Sequence, residues 1–210
     1  MKTKAFTIVQ KVLRVPVRLI FRVHYQGREN EPAATEGAYI IASNHISNVD
    51  PIILCAAIDK QQPHYMAKKE LFKIPILRGL IKMLGAYPVD RGGADVKAIK
   101  HSVNLLLEGK CVGIFPQGHR YQKEDPRTTP VKQGVAMLAT KTETQILPCF
   151  IKTEKRKITP FFTRVDVIIG KPIKFEELNY NPEEKGEYTR ISNYVFERIC
   201  ELENADIGKK

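Results

Sequence analysis

Apolar and polar positions along the chain follow two rhythms. Residues 5–24, AFTIVQKVLRVPVRLIFRVH, follow the helical one. Lys4, Thr7, Lys11, Arg14, Arg18 and Arg22 recur every three or four residues and form a basic stripe along one side of a helix. Phe6, Ile8, Val9, Val12, Leu13, Val15, Val17, Leu19, Ile20, Phe21 and Val23 fill the rest, so the apolar face is wide. The alternatives are a helix packed on the protein's own core and a helix lying in a membrane interface, its arginines snorkelling to lipid phosphates. The absence of acidic residues favours the membrane. Pro16 is expected to kink this helix or split it in two. Residues 26–37, QGRENEPAATEG, are polar and rich in Gly, Pro and Glu, and read as a connector.

Beyond residue 38 short apolar runs alternate with helical patterns. Strands are predicted at Tyr39–Ala42, His64–Ala67, Val112–Phe115, Ile146–Ile151 and Val165–Ile169, with an extended stretch from Ala86 to Val89. A helix should start at Pro51 with Asp50 as its N-cap. Another spans 74–84 and ends at Gly85; Val96, Ile99, Val103, Leu106 and Leu107 mark a third, ended by Gly109. Pro130, behind Thr129, is expected to open a fourth, and Ile191, Tyr194, Val195, Ile199 and Leu202 mark a C-terminal one. This alternation predicts an α/β fold: a single domain over 38–210 with a mainly parallel central sheet flanked by helices, preceded by the amphipathic helix (1–25) and the connector (26–37).

Composition narrows the partners. Of 210 residues, 34 are Lys or Arg and 23 Asp or Glu, a net charge of +11 that attracts something anionic: nucleic acid, a phospholipid surface or a phosphorylated substrate. Trp is absent and aromatics make up only 8%, against base stacking, and the most basic segment is interleaved with aliphatic residues, so nucleic acid is excluded. No apolar run approaches the roughly 20 residues that span a bilayer. The N-terminus lacks the unbroken apolar core of a signal peptide. Cys55, Cys111, Cys149 and Cys200 have neither disulfide-framework nor zinc spacing, so reduced thiols on the cytoplasmic side are expected.

In α/β folds, sites gather where strands end. Four such places carry chemistry. Asn44-His45-Ile46-Ser47-Asn48-Val49-Asp50 pairs an imidazole, the usual general base near neutral pH, with a carboxylate that can turn back to its other ring nitrogen. Such a pair deprotonates a hydroxyl without a serine or cysteine nucleophile. Val89-Asp90-Arg91-Gly92-Gly93 offers an arginine for a phosphate beside a glycine pair. Phe115-Pro116-Gln117-Gly118-His119-Arg120 follows a buried strand with a tight turn and a further cation. In Ile146–Phe150, Pro148 interrupts a strand-like run, implying an edge or a bend. Each has a structural explanation too: a helix cap, a glycine turn, a strand-ending turn, an edge strand.

Together, and in this order, the four blocks resemble the PlsC-like glycerolipid acyltransferases, the 1-acyl-sn-glycerol-3-phosphate acyltransferase family. N-H-x-x-x-x-D (the HX4D motif) is matched by Asn44, His45 and Asp50; V-D-R by Val89, Asp90 and Arg91; F-P-E-G-T-R by Phe115, Pro116, Gly118 and Arg120; the apolar block around Pro148 completes the set. Met66–Leu71 and Lys132/Gly134 are similar as well, so the likeness covers about residues 37–175. The departure is Gln117 and His119 where the family has Glu and Thr.

The resemblance implies transfer of an acyl group from a thioester, acyl-CoA or acyl-carrier protein, to the free hydroxyl of lysophosphatidate, giving phosphatidate in phospholipid biosynthesis. His45 is then the base and Asp50 its orienting partner. Backbone N–H groups near the His45 loop hold the oxyanion. Arg91 grips the acceptor phosphate, with Arg120 or Lys68 as helpers, and Gln117 and Gly118 shape the acceptor site. Neither metal nor tightly bound cofactor is expected. The enzyme should sit peripherally on the cytoplasmic face of the cell membrane, against anionic phospholipid. Glycerol-3-phosphate or a lyso-aminolipid is the alternative acceptor, and a non-catalytic membrane-binding homologue the alternative class.

Overall fold

A computed structural model describes residues 3–90 and 96–205. Seven strands form one sheet: β1 (Val23–Gln26), β2 (Tyr39–Ser43), β3 (Pro63–Lys68), β4 (Tyr87–Val89), β5 (Cys111–Ile114), β6 (Gln145–Lys152) and β7 (Val165–Ile169), in the order β1-β7-β6-β2-β5-β3-β4. Only β6 against β7 is antiparallel; the other named pairs are parallel. Six α-helices flank it among the described residues: α1 (Lys4–Ile20), α2 (Asp50–Ala57), α3 (Pro75–Met83), α4 (Val96–Leu107), α5 (Gly134–Thr142) and α6 (Glu187–Glu201). The predicted α/β class and mainly parallel sheet are both present.

Helices cover both faces, so the central strands have no polar side. Every residue of β2 is buried. Tyr39 and Ile41 pack into a core shared with α1, α2 and α3, whereas Ile40 and Ala42 pack into one shared with α4, α5 and α6. Continuous apolar runs in place of alternation are what a doubly covered sheet demands. The four cysteines are free and buried; burial pushes the Cys55 thiol up to about 12 and Cys200 to about 11, and raises Cys111 and Cys149 as well.

Several expectations shift. The N-terminal helix stops at Ile20, and Val23–Gln26 forms β1, parallel to β7 with Val23 opposite Val165. Val23 is apolar in step with the helix before it, which disguised the change. Pro16 does not split α1. The connector contains two 3-10 turns, Arg28–Asn30 and Ala34–Glu36. Its Glu31 is buried and accepts hydrogen bonds from Tyr39 Oη (2.7 Å), Asp59 N (2.7 Å) and Lys60 N (2.6 Å). Helix α5 opens at Gly134 rather than at Pro130, because Thr129 and Lys132 are tied to the Pro116-Gln117 turn. Pro148 lies in an interior strand, not an edge. It sits one residue outside the named β6–β7 register, where its carbonyl still accepts from Gly170 N (2.8 Å).

Helix α1 packs on the protein's own core along one side and leaves another side exposed. Thr3 caps it, accepting from Phe6 N (3.1 Å). Phe6, Gln10 and Val17 are buried against the body, with Val9 and Leu13 packed beside them. Gln10 Nε2 donates to Cys55 O (2.7 Å) and Ile58 O (2.5 Å), Arg14 Nε to Ala56 O (2.9 Å) and Arg28 Nε to Ala57 O (3.2 Å). These are carbonyls of the last turn of α2, which a helix cannot satisfy itself and toward which cations are drawn. On another side of α1, Ile8, Val12, Val15 and Leu19 each stand more than 60% exposed. No described helix is long and apolar enough to cross a membrane.

Candidate active site

The site is built at the end of β2. Ala42 and Ser43 pair with β6, and Asn44 extends that pairing with its side chain: Nδ2 donates to Ile151 O (3.0 Å) and Oδ1 accepts from Ile151 N (2.7 Å). The next residue, His45, is thereby delivered at a fixed point where the sheet ends.

The loop then turns back on itself. Asp50 Oδ2 accepts from His45 Nδ1 (2.7 Å), Ile46 N (2.7 Å) and Ser47 N (2.8 Å). Asp50 is completely buried and is the first residue of α2; Val49 occupies the N-cap, so this carboxylate organises the preceding loop instead of capping the helix. Its Oδ1 has no partner among the described residues. An ionised carboxylate only accepts, so Nδ1 carries the imidazole proton and Nε2 presents the lone pair. Nε2 has no hydrogen-bond partner among the described residues.

The backbone of His45 is held from both sides. Its N–H donates to Gln117 Oε1 (2.7 Å), and its carbonyl accepts from Tyr121 N (2.9 Å). Gln117 is 1% exposed, and its Nε2 donates to Thr129 Oγ1 (2.7 Å), whose hydroxyl donates to Pro126 O (2.6 Å). The amide serves both ends of the relay, its oxygen accepting from His45 N and its nitrogen donating to Thr129. Gln117 was expected to shape the acceptor site. Its amide is instead spent inside the protein, on the main chain of His45.

The imidazole is also held by its faces. It stacks on Phe115 with centroids 4.0 Å apart and planes 16° apart, and Phe115 stacks in turn on Tyr65 at 5.9 Å. Tyr65 fits only because residue 113 of β5 has no side chain: a Cβ there would lie 1.9 Å from the Tyr65 ring. Gly118 takes φ +72°, closing a turn in which its N–H donates to Phe115 O (2.9 Å); a side chain would be strained there.

His45, Asp50 and Gln117 are thus in direct contact. Gly118 and Arg120 are exposed on the adjoining loop, one residue before the Tyr121 amide that holds the His45 carbonyl. Lys68 is exposed at the end of β3, on the same edge of the sheet, and its ion pair is with Glu70 (3.7 Å). Arg91 lies outside the described residues; the chain reaches it from β4 and Asp90, whose carboxylate pairs with Lys69. The expectation that the His45 loop supplies oxyanion donors is not met by its first residues, because the N–H groups of His45, Ile46 and Ser47 are committed within the protein. Thr129, Tyr65 and the paired role of Asn44 were missed. Gly113 inside a strand pattern was the available signal, since glycine there marks a close approach.

A histidine whose Nδ1 meets a buried carboxylate, at the strand ends of an α/β sheet, is an arrangement able to take a proton from a hydroxyl. The chain belongs to the acyltransferase family, whose model matches residues 22–152. It is 33% identical over 193 residues to the 1-acyl-sn-glycerol-3-phosphate acyltransferase of Bacillus subtilis, covering 91% of this chain and 94% of that protein. The enzyme of the same name from Streptococcus pneumoniae is 32% identical over 159 residues, 74% of this chain and 57% of that one. The crystal structure of the 1-acyl-sn-glycerophosphate acyltransferase PlsC from Thermotoga maritima shares the fold with a TM-score of 0.69 at 24% identity, covering 98% of this chain and 81% of that one.

Proposed function

We propose that this chain transfers a fatty acyl group from acyl-CoA or acyl-carrier protein to the free hydroxyl of 1-acyl-sn-glycerol-3-phosphate, giving phosphatidate. The observation that carries the reading is the 2.7 Å contact between His45 Nδ1 and the buried Asp50 carboxylate, which leaves Nε2 open to a substrate. His45 Nε2 takes the hydroxyl proton as the oxygen attacks the thioester carbonyl carbon. The tetrahedral intermediate collapses, the C–S bond breaks, and the imidazolium returns its proton to the departing thiolate. Asp50 stabilises the imidazolium in between. Gln117 is a positioning residue that acts through the His45 main chain. Arg91, Arg120 and Lys68 supply cations for the acceptor phosphate, and Gly118 leaves room beside it. The scheme calls on no metal or cofactor. The acceptor and product are lipids, so the enzyme works peripherally at the cytoplasmic membrane face, with α1 as one contact.

The test is thioester consumption with lysophosphatidate in mixed micelles, offering both donors to the wild type, His45→Ala and Asp50→Asn. Phosphatidate from the wild type alone supports the scheme. A wild type inert with both donors overturns the acceptor assignment. Full activity in His45→Ala overturns the base.

A further inference from the structure

The loop between β6 and β7 reads TEKRKITPFFTR from Thr153 to Arg164: cations on either side of an aromatic pair. Phe161 is 65% and Phe162 83% exposed. The turn that presents them is not slack. Thr159 N donates to Thr163 Oγ1 (3.0 Å), Thr163 N to Thr159 O (3.0 Å) and Phe161 N to Ile20 O (2.5 Å), the last residue of α1. Phe161 adopts φ +64°, a conformation that bulky residues take only when the surroundings impose it. A constrained turn that holds two phenylalanines outward, in water, has no explanation within the fold.

The topology says where this turn lies. β6 ends where β7 and β1 begin, because Lys152 pairs with Asp166 and Val23 with Val165. β2 runs parallel to β6 and reaches His45 at the same edge. The aromatic turn, the C-terminal end of α1 and His45 therefore share one edge of the sheet. The main chains are linked there as well: Lys123 N, from the loop that holds the His45 carbonyl, donates to Arg156 O (3.2 Å).

Two further apolar groups are exposed on the face of the sheet that α1 covers. α1 exposes Ile8, Val12, Val15 and Leu19, and α3, on the same face of the sheet, exposes Ile76 (90%) and Met83. The charge nearby is basic. Arg18 and Lys11 flank the α1 stripe without an acidic residue in that helix. A cavity of about 570 Å³ beside Phe162 is lined by Lys152, Lys155, Lys157 and Arg164 against Glu154 and Asp166.

We propose that the Thr159–Thr163 turn is a membrane wedge that, with α1 and α3, seats the His45 edge of the sheet on an anionic phospholipid bilayer. The proposal rests on the peripheral reading above and adds to it the inserting element and the orientation. Aromatic side chains enter the acyl boundary while neighbouring cations meet lipid phosphates. That combination of charge and exposure fits a lipid surface better than a second basic copy of this chain, which the net charge of +11 would repel.

The chain contains no tryptophan, so single reporters are unambiguous. Phe162→Trp, Ile76→Trp and, as a control, Leu107→Trp are compared on vesicles of phosphatidylcholine with and without phosphatidylglycerol, carrying brominated acyl chains. Leu107 is exposed at the end of α4, on the opposite face and at the opposite edge. Phe162→Trp and Ile76→Trp should shift to the blue and be quenched on anionic vesicles, less so at high salt, while Leu107→Trp stays unchanged. The double variant Phe161→Ser/Phe162→Ser should partition about tenfold or more weakly, given the apolar area lost. Its turnover of a monomeric short-chain acceptor should match the wild type, and only turnover of vesicle-borne acceptor should fall.

Quenching in all three reporters, or in none, overturns the orientation. A blue shift of Phe162→Trp without vesicles that grows with protein concentration assigns the turn to self-association and overturns the lipid wedge. Selective quenching in a protein that consumes no thioester with any lyso-lipid leaves the wedge standing and fails the proposed reaction instead.

Discussion

Helices α1 and α6 lie on opposite faces of the sheet, and both are amphipathic. Helix α6 buries Ile191, Val195, Phe196 and Ile199, and pairs its charges within the helix: Arg190 with the buried Glu187, Arg198 with Glu201 (2.5 Å each). No large apolar side chain of α6 is among the exposed ones. Helix α1 buries fewer apolar residues, leaves four exposed, and has no acidic partner of its own for its cations. The width of the apolar face separates the two less well than the signs of the charges on the other face. Opposite charges that neutralise each other within one helix suit a helix facing water; a helix whose own charges are all of one sign, of which only Arg14 finds a carboxylate, Asp59, among the described residues of other elements, suits an anionic surface. The contrast extends to the halves they cover. The α1–α3 half carries the His45 loop and the proposed docking surface.

The largest effect that would sharpen this contrast is His45→Ala, which should cost about 10²–10⁴ in turnover, the usual worth of a general base, with only a modest fall in thermal midpoint because Asp50 Oδ2 keeps the Ile46 and Ser47 amides. A comparable loss of midpoint would mean that His45 holds the loop rather than the proton. Next is Ile191→Ala on α6. Ile191 is fully buried, so truncation should cost roughly 2–5 kcal/mol of stability in denaturant titration, without changing vesicle binding of the protein that remains folded. Val12→Ser/Leu19→Ser on α1 should do the reverse: stability within about 0.5 kcal/mol of wild type, as for surface sites, with weaker binding to anionic vesicles. Equal loss of stability would break the comparison by making the α1 stripe part of the core.

The smallest effect is a pH dependence on α6. Hydrogen bonding from Arg190, then from the Asn181 amide, holds the Glu187 carboxyl down to about 2, below its unfolded value of about 4.3. A depressed carboxylate stabilises the fold fully above the unfolded value, and that contribution fades as pH falls from there through about 2. Glu187→Gln should therefore lose part of the decline in thermal midpoint seen between pH 5 and pH 2, and approach the wild type at the acid end.

Much of this was legible in the chain. The strand-and-helix rhythm from Tyr39 to Phe115 could be read because each element declares its own period. The His45–Asp50 pair could be read because five residues of loop suffice to bring the two together. What holds that pair in place was not legible, because it is assembled from far away: Asn44 bonds Ile151 across 107 positions, and Gln117 bonds His45 across 72. The misplaced start of α5 has the same origin. Thr129-Pro130 is a sound local helix opening, overruled by the bond between Thr129 and Gln117 and that between Lys132 N and Pro116 O. β1 escaped because its pairing partner, β7, lies near the other end of the chain.

The caps that α1 and its neighbour provide for α2 bear on how such an enzyme is handled at the bench. An N-terminal helix with a greasy outer stripe invites removal, in the hope of a better-behaved protein for crystallisation or assay. Here the cut would take away Gln10 and Arg14, stranding the Cys55, Ala56 and Ile58 carbonyls, and would uncover the places filled by Phe6 and Val17. Asp50 begins the very helix whose far end would be left open. Solubility is better sought by exchanging Ile8, Val12, Val15 and Leu19 for polar residues and keeping the helix.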